Sequence, residues 1–203
     1  MRNQYFIIRH GHSLRNIKDT ASCWPEKFYF PLTKKGKKQI KEVAQKLKND
    51  LRSKKKIDLI FSSDILRTKQ TAEIISKELG LKPKFDKRLR EVNVGIFNGK
   101  SINEVGKFWD EERKLPLLEY YKKRFRIAPP KGENYTDIEK RLSNFIKEMD
   151  KRYKGKNILI VGHQRPLTLL EKVIYNYSFK KFVKIIFEKK EIKTGELRKL
   201  LVK

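Results

Sequence analysis

The chain has 203 residues, and 51 Lys and Arg against 24 Asp and Glu give it a formal net charge of +27. A hydrophobic share of 38% excludes a disordered polyelectrolyte and leaves apolar material for one domain with a real core. A lone cysteine, Cys23, excludes an internal disulfide and a cysteine-based metal site.

The first strand is expected over residues 4–9, where Tyr5-Phe6-Ile7-Ile8 runs apolar into Arg9-His10-Gly11. Residues 14–31 form a long loop with Trp24, Phe28, Tyr29 and Phe30, which either serves function or merely covers the core. Thr33 caps a helix whose Ile40, Val43, Ala44 and Leu47 recur with helical period. Ile57 to Phe61 is a second buried strand, ending at Ser62-Ser63-Asp64, and a helix follows from Ile65 to Leu79 with Gly80 as its stop. Residues 83–100 are mostly loop with a short strand near Lys84–Phe85, and Ile102 to about Leu115 is expected to be helical. Pro116, Pro129-Pro130 and Gly132 break the chain around the basic stretch Lys122-Lys123-Arg124-Phe125-Arg126. This insert, about residues 101–130, is expected to form a small helical cap. A helix from about Tyr135 to Tyr153 buries Ile138, Leu142, Phe145, Ile146 and Met149. Asn157 to Val161 is a strand ending at Gly162-His163, and a helix from Pro166 to about Tyr177 follows it. The tail, Phe182–Ile192 and Glu196–Val202, is expected to end in sheet. Alternating strands and helices argue an α/β fold with a mostly parallel sheet, in one domain spanning 1–203.

Three strands run into His10, into Ser62-Ser63-Asp64 just before Arg67, and into His163. In a parallel sheet those ends share one edge, where the connecting loops leave a crevice. Arg9 offers a planar fork of donors suited to phosphate oxygens, and Arg67 sits near a helix start that already favours an anion. His10 carries a nitrogen that can act as a nucleophile, and Gly11 lets the backbone turn sharply. Two arginines and two histidines make a dianion site that needs no metal and no cofactor. The large positive charge attracts polyanions in general. The lysines are spread along the whole chain rather than gathered with aromatics, so nucleic acid is not the favoured partner. A basic nucleic-acid-binding protein on this scaffold is kept as the alternative of another class. No apolar run approaches membrane-spanning length and no secretory leader is visible, so no membrane partner and a cytoplasmic location are expected.

Six segments, in order, resemble the histidine phosphatase superfamily, which includes the cofactor-dependent phosphoglycerate mutases. They are Arg9-His10-Gly11-His12-Ser13-Leu14-Arg15-Asn16, Leu32-Thr33-Lys34-Lys35-Gly36-Lys37-Lys38-Gln39, Ser62 through Ala72, Leu89-Arg90-Glu91-Val92-Asn93-Val94-Gly95, Lys131-Gly132-Glu133-Asn134 and Val161-Gly162-His163. The resemblance implies a three-layer αβα sandwich and a phosphomonoester hydrolase working on a small phosphorylated metabolite. It implies that His10 attacks phosphorus and becomes a phosphohistidine, that Arg9, Arg67 and His163 hold the phosphoryl oxygens, and that Asn16 adds a hydrogen bond. Glu91 would protonate the leaving alcohol and then take a proton from water. A cofactor-dependent phosphoglycerate mutase is the alternative within enzymes. His12 reads as a rim residue. Gln164-Arg165 follow His163 where many members carry Gly. The His163-Gln164 pair is similar to the fructose-2,6-bisphosphatase branch, which places Gln164 among the substrate-binding residues. Arg165 either adds charge at the crevice or points to solvent. Asn93 to Gly99 depart from the family's aromatic-Glu-Gly ending, which bears on leaving-group recognition.

Overall fold

The computed structural model describes residues 1–49, 56–112 and 114–201. Among these, strands β1 (Gln4–Arg9), β2 (Leu59–Ser62), β3 (Pro83–Phe85), β4 (Asn157–Gly162) and β5 (Leu197–Leu200) form one sheet, in the order β3-β2-β4-β1-β5. β1 to β4 run parallel, and β5 lies antiparallel against β1. The helices are α1 (Lys34–Asn49), α2 (Leu66–Leu79), α3 (Ile102–Lys107), α4 (Leu117–Arg126), α5 (Tyr135–Arg152), α6 (Gln164–Tyr175) and α7 (Phe179–Phe187).

Side chains alternate across the strands, so the sheet feeds two cores. On one face Phe6, Ile8, Ile60, Leu159 and Val161 pack with Ile40, Ala44 and Leu47 of α1 and with Ala72 and Ile75 of α2. On the other, Tyr5, Ile7, Phe61, Ile158 and Ile160 pack with Ile138, Leu142 and Phe145 of α5 and with Leu167, Leu169 and Leu170 of α6. This is the expected three-layer arrangement. α3 and α4 leave the chain between β3 and α5, and Val105, Trp109 and Tyr121 of this insert join the second core.

Two expected elements differ. The helix foreseen over 102–115 stops at Lys107, and a new one starts at Leu117, directly after Pro116. Arg113, within that span, lies outside the described residues. The basic stretch 122–126, foreseen within a helical insert between breaks, forms the C-terminal end of α4. There its cations meet the negative helix end. The tail residues Phe182 to Phe187, foreseen as sheet, belong to α7. Phe179, Phe182, Val183 and Ile186 form an i, i+3, i+4, i+7 stripe against the core, and the hydroxyl of Ser178 accepts from Lys181 N at 3.2 Å as its cap. Short apolar runs read alike in both periods until the cap is recognised. The other tail segment does enter the sheet as β5; its last foreseen residue, Val202, lies outside the described residues.

The loop leaving β1 crosses the start of α1 at backbone contact. A Cβ on Gly36 would stand 2.0 Å from the carbonyl oxygen of His12, and one on Gly11 would stand 2.7 Å from Ile40 Cγ1. Thr33 Oγ1 accepts from Gly36 N at 3.1 Å, which caps α1 at the crossing. Gly36→Ala must push the His10 loop away from α1. We expect it to cost about 1–3 kcal/mol in urea unfolding and to lower any His10-dependent activity. An unchanged midpoint would show that the crossing yields without strain.

Candidate active site

β1, β2 and β4 end in step, with Arg9 paired to Gly162 and Ser62 to Val161. His10 N then donates to Gly162 O at 3.0 Å, and Ser63 N to Val161 O at 3.1 Å. His10, Ser63 and His163 therefore leave the sheet side by side. The two imidazoles meet edge to face with centroids 5.5 Å apart.

His10 is buried, and its Nδ1 lies 2.8 Å from the carbonyl oxygen of Gly11. A carbonyl can only accept, so Nδ1 holds the proton and Nε2 keeps its lone pair. Burial, then the charges of Arg67 and Arg9, hold the ring's pKa well below the ordinary histidine value. His163 is fully buried, with Nε2 3.0 Å from Ser63 Oγ. Ser63 Oγ accepts from Ile65 N at 3.3 Å and has its own hydrogen to offer His163 Nε2. On that assignment the His163 ring proton is on Nδ1, which has no hydrogen-bond partner and stands 3.8 Å from Glu91 Oε2. Burial and Arg67 keep this ring neutral as well.

Arg67, the second residue of α2, is 1% exposed. Its Nη1 and Nη2 donate to Ser22 Oγ at 3.4 Å and Ser22 O at 3.2 Å, while Nε has no acceptor. Burial pulls its pKa down to about 10, against the opposing pull of Glu91 and Glu26. Arg9 Nη1 donates to Ile192 O at 3.2 Å, and its Nε is also without an acceptor. Asn16 Oδ1 accepts from Ser13 N and Ser13 Oγ, both at 2.9 Å, which turns its amide nitrogen outward as a donor. Glu91 is partly buried and comes from a segment clamped by Arg141 of α5. Arg141 donates to the carbonyls of Arg88, Arg90 and Glu91 while pairing with Glu133 at 2.8 Å.

These groups border a cavity of about 460 Å³. Arg9, His10, Asn16, Arg67, Glu91 and Gln164 line it from the sheet edge, and Ile102, Val105, Tyr120, Tyr121 and Arg124 from the insert. His163 adjoins the cavity through two of its lining residues, its ring against that of His10 and its unpartnered Nδ1 3.8 Å from Glu91 Oε2. His12 also stays out of the lining, with Nδ1 3.0 Å from Thr33 Oγ1. Arg165 faces the cavity rather than solvent and pairs with Glu191 at 2.7 Å. The aromatic loop borders the cavity and also covers the core. Ala21 and Ser22 line the cavity, Cys23 and Phe30 join the buried set, and Glu26 caps α2 by accepting from Leu66 N at 2.9 Å.

Sequence reasoning missed Arg15, Ser22, Ser63, Arg124 and Arg141 as parts of this site. Arg124 carried a readable signal, because it shares the buried face of α4 with Tyr121. Ser22 and Arg141 carried none, since each acts through contacts far away in sequence.

The family model described as "Histidine phosphatase superfamily (branch 1)" matches residues 5–197. The chain belongs to the histidine phosphatase superfamily. Among its relatives is a Yersinia pestis protein named "Probable phosphoglycerate mutase GpmB". It is 31% identical over 167 residues, which are 82% of this chain and 72% of that one. Solved structures with the same fold include a mycobacterial glucosyl-3-phosphoglycerate phosphatase, 18% identical, with a TM-score of 0.74 over 96% of this chain and 88% of that one. The alpha-ribazole phosphatase from Shigella flexneri is 22% identical, with a TM-score of 0.73 over the same shares of the two chains. At such identities the likeness speaks for the fold. Among the described residues, no helix of this superfamily member is long and apolar enough to cross a membrane.

Two neutral buried rings make stability depend on pH. Below about pH 6.5 the unfolded chain binds protons that the folded rings refuse, so stability falls as the pH drops from there toward the folded values. We expect the melting temperature to decline between pH 7 and pH 5.5, and to decline less in His163→Asn. Equal slopes in both proteins would show that His163 does not resist protonation.

Proposed function

We propose that this chain is a phosphomonoester hydrolase that works through a phosphohistidine on His10, without a metal ion. The observation that carries the reading is the His10 ring. Its Nδ1 is tied to the Gly11 carbonyl, and its neutral Nε2 is left free in a cavity that also holds Arg9 and Arg67. In this reading residues 1–203 act as one catalytic domain, with α3 and α4 as its cap.

In the first step His10 Nε2 forms a bond to phosphorus as the bond to the ester oxygen breaks. Glu91 delivers a proton to the departing alkoxide. Arg9 and Arg67 hold the phosphoryl oxygens and neutralise them as charge shifts in the transition state, with Asn16, Gln164 and the His163 Nδ1 proton as further donors. In the second step Glu91 takes a proton from water as that water attacks phosphorus. The N–P bond breaks, inorganic phosphate leaves, and His10 is again neutral. Guanidinium groups thus supply the positive charge at both steps. The relatives whose printed names are phosphatases support hydrolysis as the outcome. The relative named as a phosphoglycerate mutase supports the second reading, in which the phosphohistidine returns its group to an acceptor.

The cavity volume, about 460 Å³, falls in the range of small-metabolite sites, and its buried base suits a small ester better than a nucleic-acid strand. His10→Ala is expected to lower the turnover of p-nitrophenyl phosphate by at least roughly 10³-fold, and EDTA is expected to leave the wild-type rate unchanged. Loss of activity on chelation, restored by a divalent ion, would overturn the mechanism. Phosphate released from several monoesters without a bisphosphate primer marks a hydrolase, whereas dependence on such a primer marks a mutase. Glu91→Gln is expected to slow alkyl phosphates far more than p-nitrophenyl phosphate, whose leaving group needs little protonation. Equal losses on both would remove Glu91 from the acid role.

A further inference from the structure

The cap wall holds a guanidinium that the phosphoryl chemistry does not use. Arg124 of α4 is only 9% exposed and borders the cavity. Two aromatic rings pack against it, with Cζ 3.9 Å from the Trp109 ring centroid and 4.7 Å from that of Tyr135. Nη1 donates to Tyr120 Oη at 3.2 Å, and the buried Nε has no acceptor. No carboxylate answers this charge among the described residues. The acidic residue of the same helix, Glu119, pairs on the outer surface with Lys122 at 2.6 Å. The other arginine next to the cap, Arg165, is already paired with Glu191.

A cation held this far from water is costly unless something answers it. Were packing alone required between Trp109 and Tyr135, an uncharged side chain of similar length would serve at lower cost. The aromatic stack instead fixes the guanidinium plane and leaves its Nε–Nη2 edge free. That edge is the geometry that takes two oxygens of one anion. Arg9 and Arg67 suffice for the phosphoryl dianion, so the surplus charge serves the other end of the substrate.

We propose that Arg124 binds a second anionic group on the alcohol half of the substrate, a carboxylate or a second phosphate. The inference rests on the phosphomonoesterase reading and narrows its substrate class. The preferred esters are acidic beyond their transferred phosphate, and the apolar stretch of Val92, Val94, Ile102 and Val105 takes the carbon skeleton between the two charges.

Three ligands on one three-carbon skeleton test it: glycerol 3-phosphate, 3-phosphoglycerate and glycerol 1,3-bisphosphate. Calorimetric binding to His10→Ala protein measures recognition without turnover, so it decides this inference even if hydrolysis fails. At least one acidic ligand is expected to bind about ten-fold more tightly than glycerol 3-phosphate. Which of the two does so separates a carboxylate from a phosphate. Adding Arg124→Gln is expected to erase most of that preference, and Arg124→Lys to keep part of it. Circular dichroism checks that each variant folds. No preference for either acidic ligand, or one that survives in Arg124→Gln, overturns the assignment. In the wild-type enzyme the same order is expected in kcat/KM. Turnover of all three at one rate would leave the hydrolase reading standing and sink this one, whereas acid-selective binding with no phosphate release would do the reverse.

Discussion

Arg67 is a full positive charge packed away from water beside two uncharged imidazoles. Among the described residues its guanidinium is tied by Ser22 alone, Arg9 stands nearby with its own Nε unanswered, and Glu91 is the one acidic side chain bordering the cavity with them. Desolvated donors with no internal acceptor do not have to reorganise when an anion arrives. Burial, reinforced by the same charges, holds both histidines neutral. A proposed nucleophile that must offer a lone pair is thus kept unprotonated by its burial and further by the groups that would bind its target.

Much of the remaining fold keeps this arrangement in place. Three parallel strands end at one level, so residues more than 150 positions apart in sequence, His10 and His163, come into ring contact. The glycine crossing at Gly11 and Gly36 presses the His10 loop onto α1, where no side chain would fit. Ser63 Oγ pairs with Nε2 of the second ring at 3.0 Å. Arg141 grips the carbonyls of Arg88, Arg90 and Glu91 and ties them to Glu133. Asp64 likewise holds Arg90 through a bidentate pair, and Arg90 stacks 4.0 Å from the Trp24 ring, which draws the aromatic loop into the same network. The catalytic reading therefore depends on contacts that are conventional one by one and specific only as a set.

In the proposed reaction the cap divides the labour of recognition. There the sheet edge presents charge to the phosphoryl group and would do so for any monoester. The insert presents Ile102, Val105, Tyr120, Tyr121 and Arg124, which in that reading meet only the remainder of the substrate. Changes in α3 and α4 can alter specificity while leaving the phosphoryl site as it is, because the two walls come from separate stretches of chain.

The sequence by itself determined the alternation of strands and helices, the strand ends that carry Arg9-His10-Gly11 and His163, and the placement of Arg67 at a helix start. These are local patterns with a fixed period, so neighbouring residues suffice to read them. It misread Phe182–Phe187, where a short apolar run fits strand and helix alike and the Ser178 cap decides. It ran the helix that begins at Ile102 on to about Leu115, whereas α3 stops at Lys107. Only the tertiary structure decided that His163 packs its ring against that of His10, that Arg165 faces inward against Glu191, and that Arg124 is buried against Trp109 and Tyr135. Each of those depends on a partner from a distant segment. Burial and charge compensation are properties of the packed chain, and no window of sequence contains both members of such a pair.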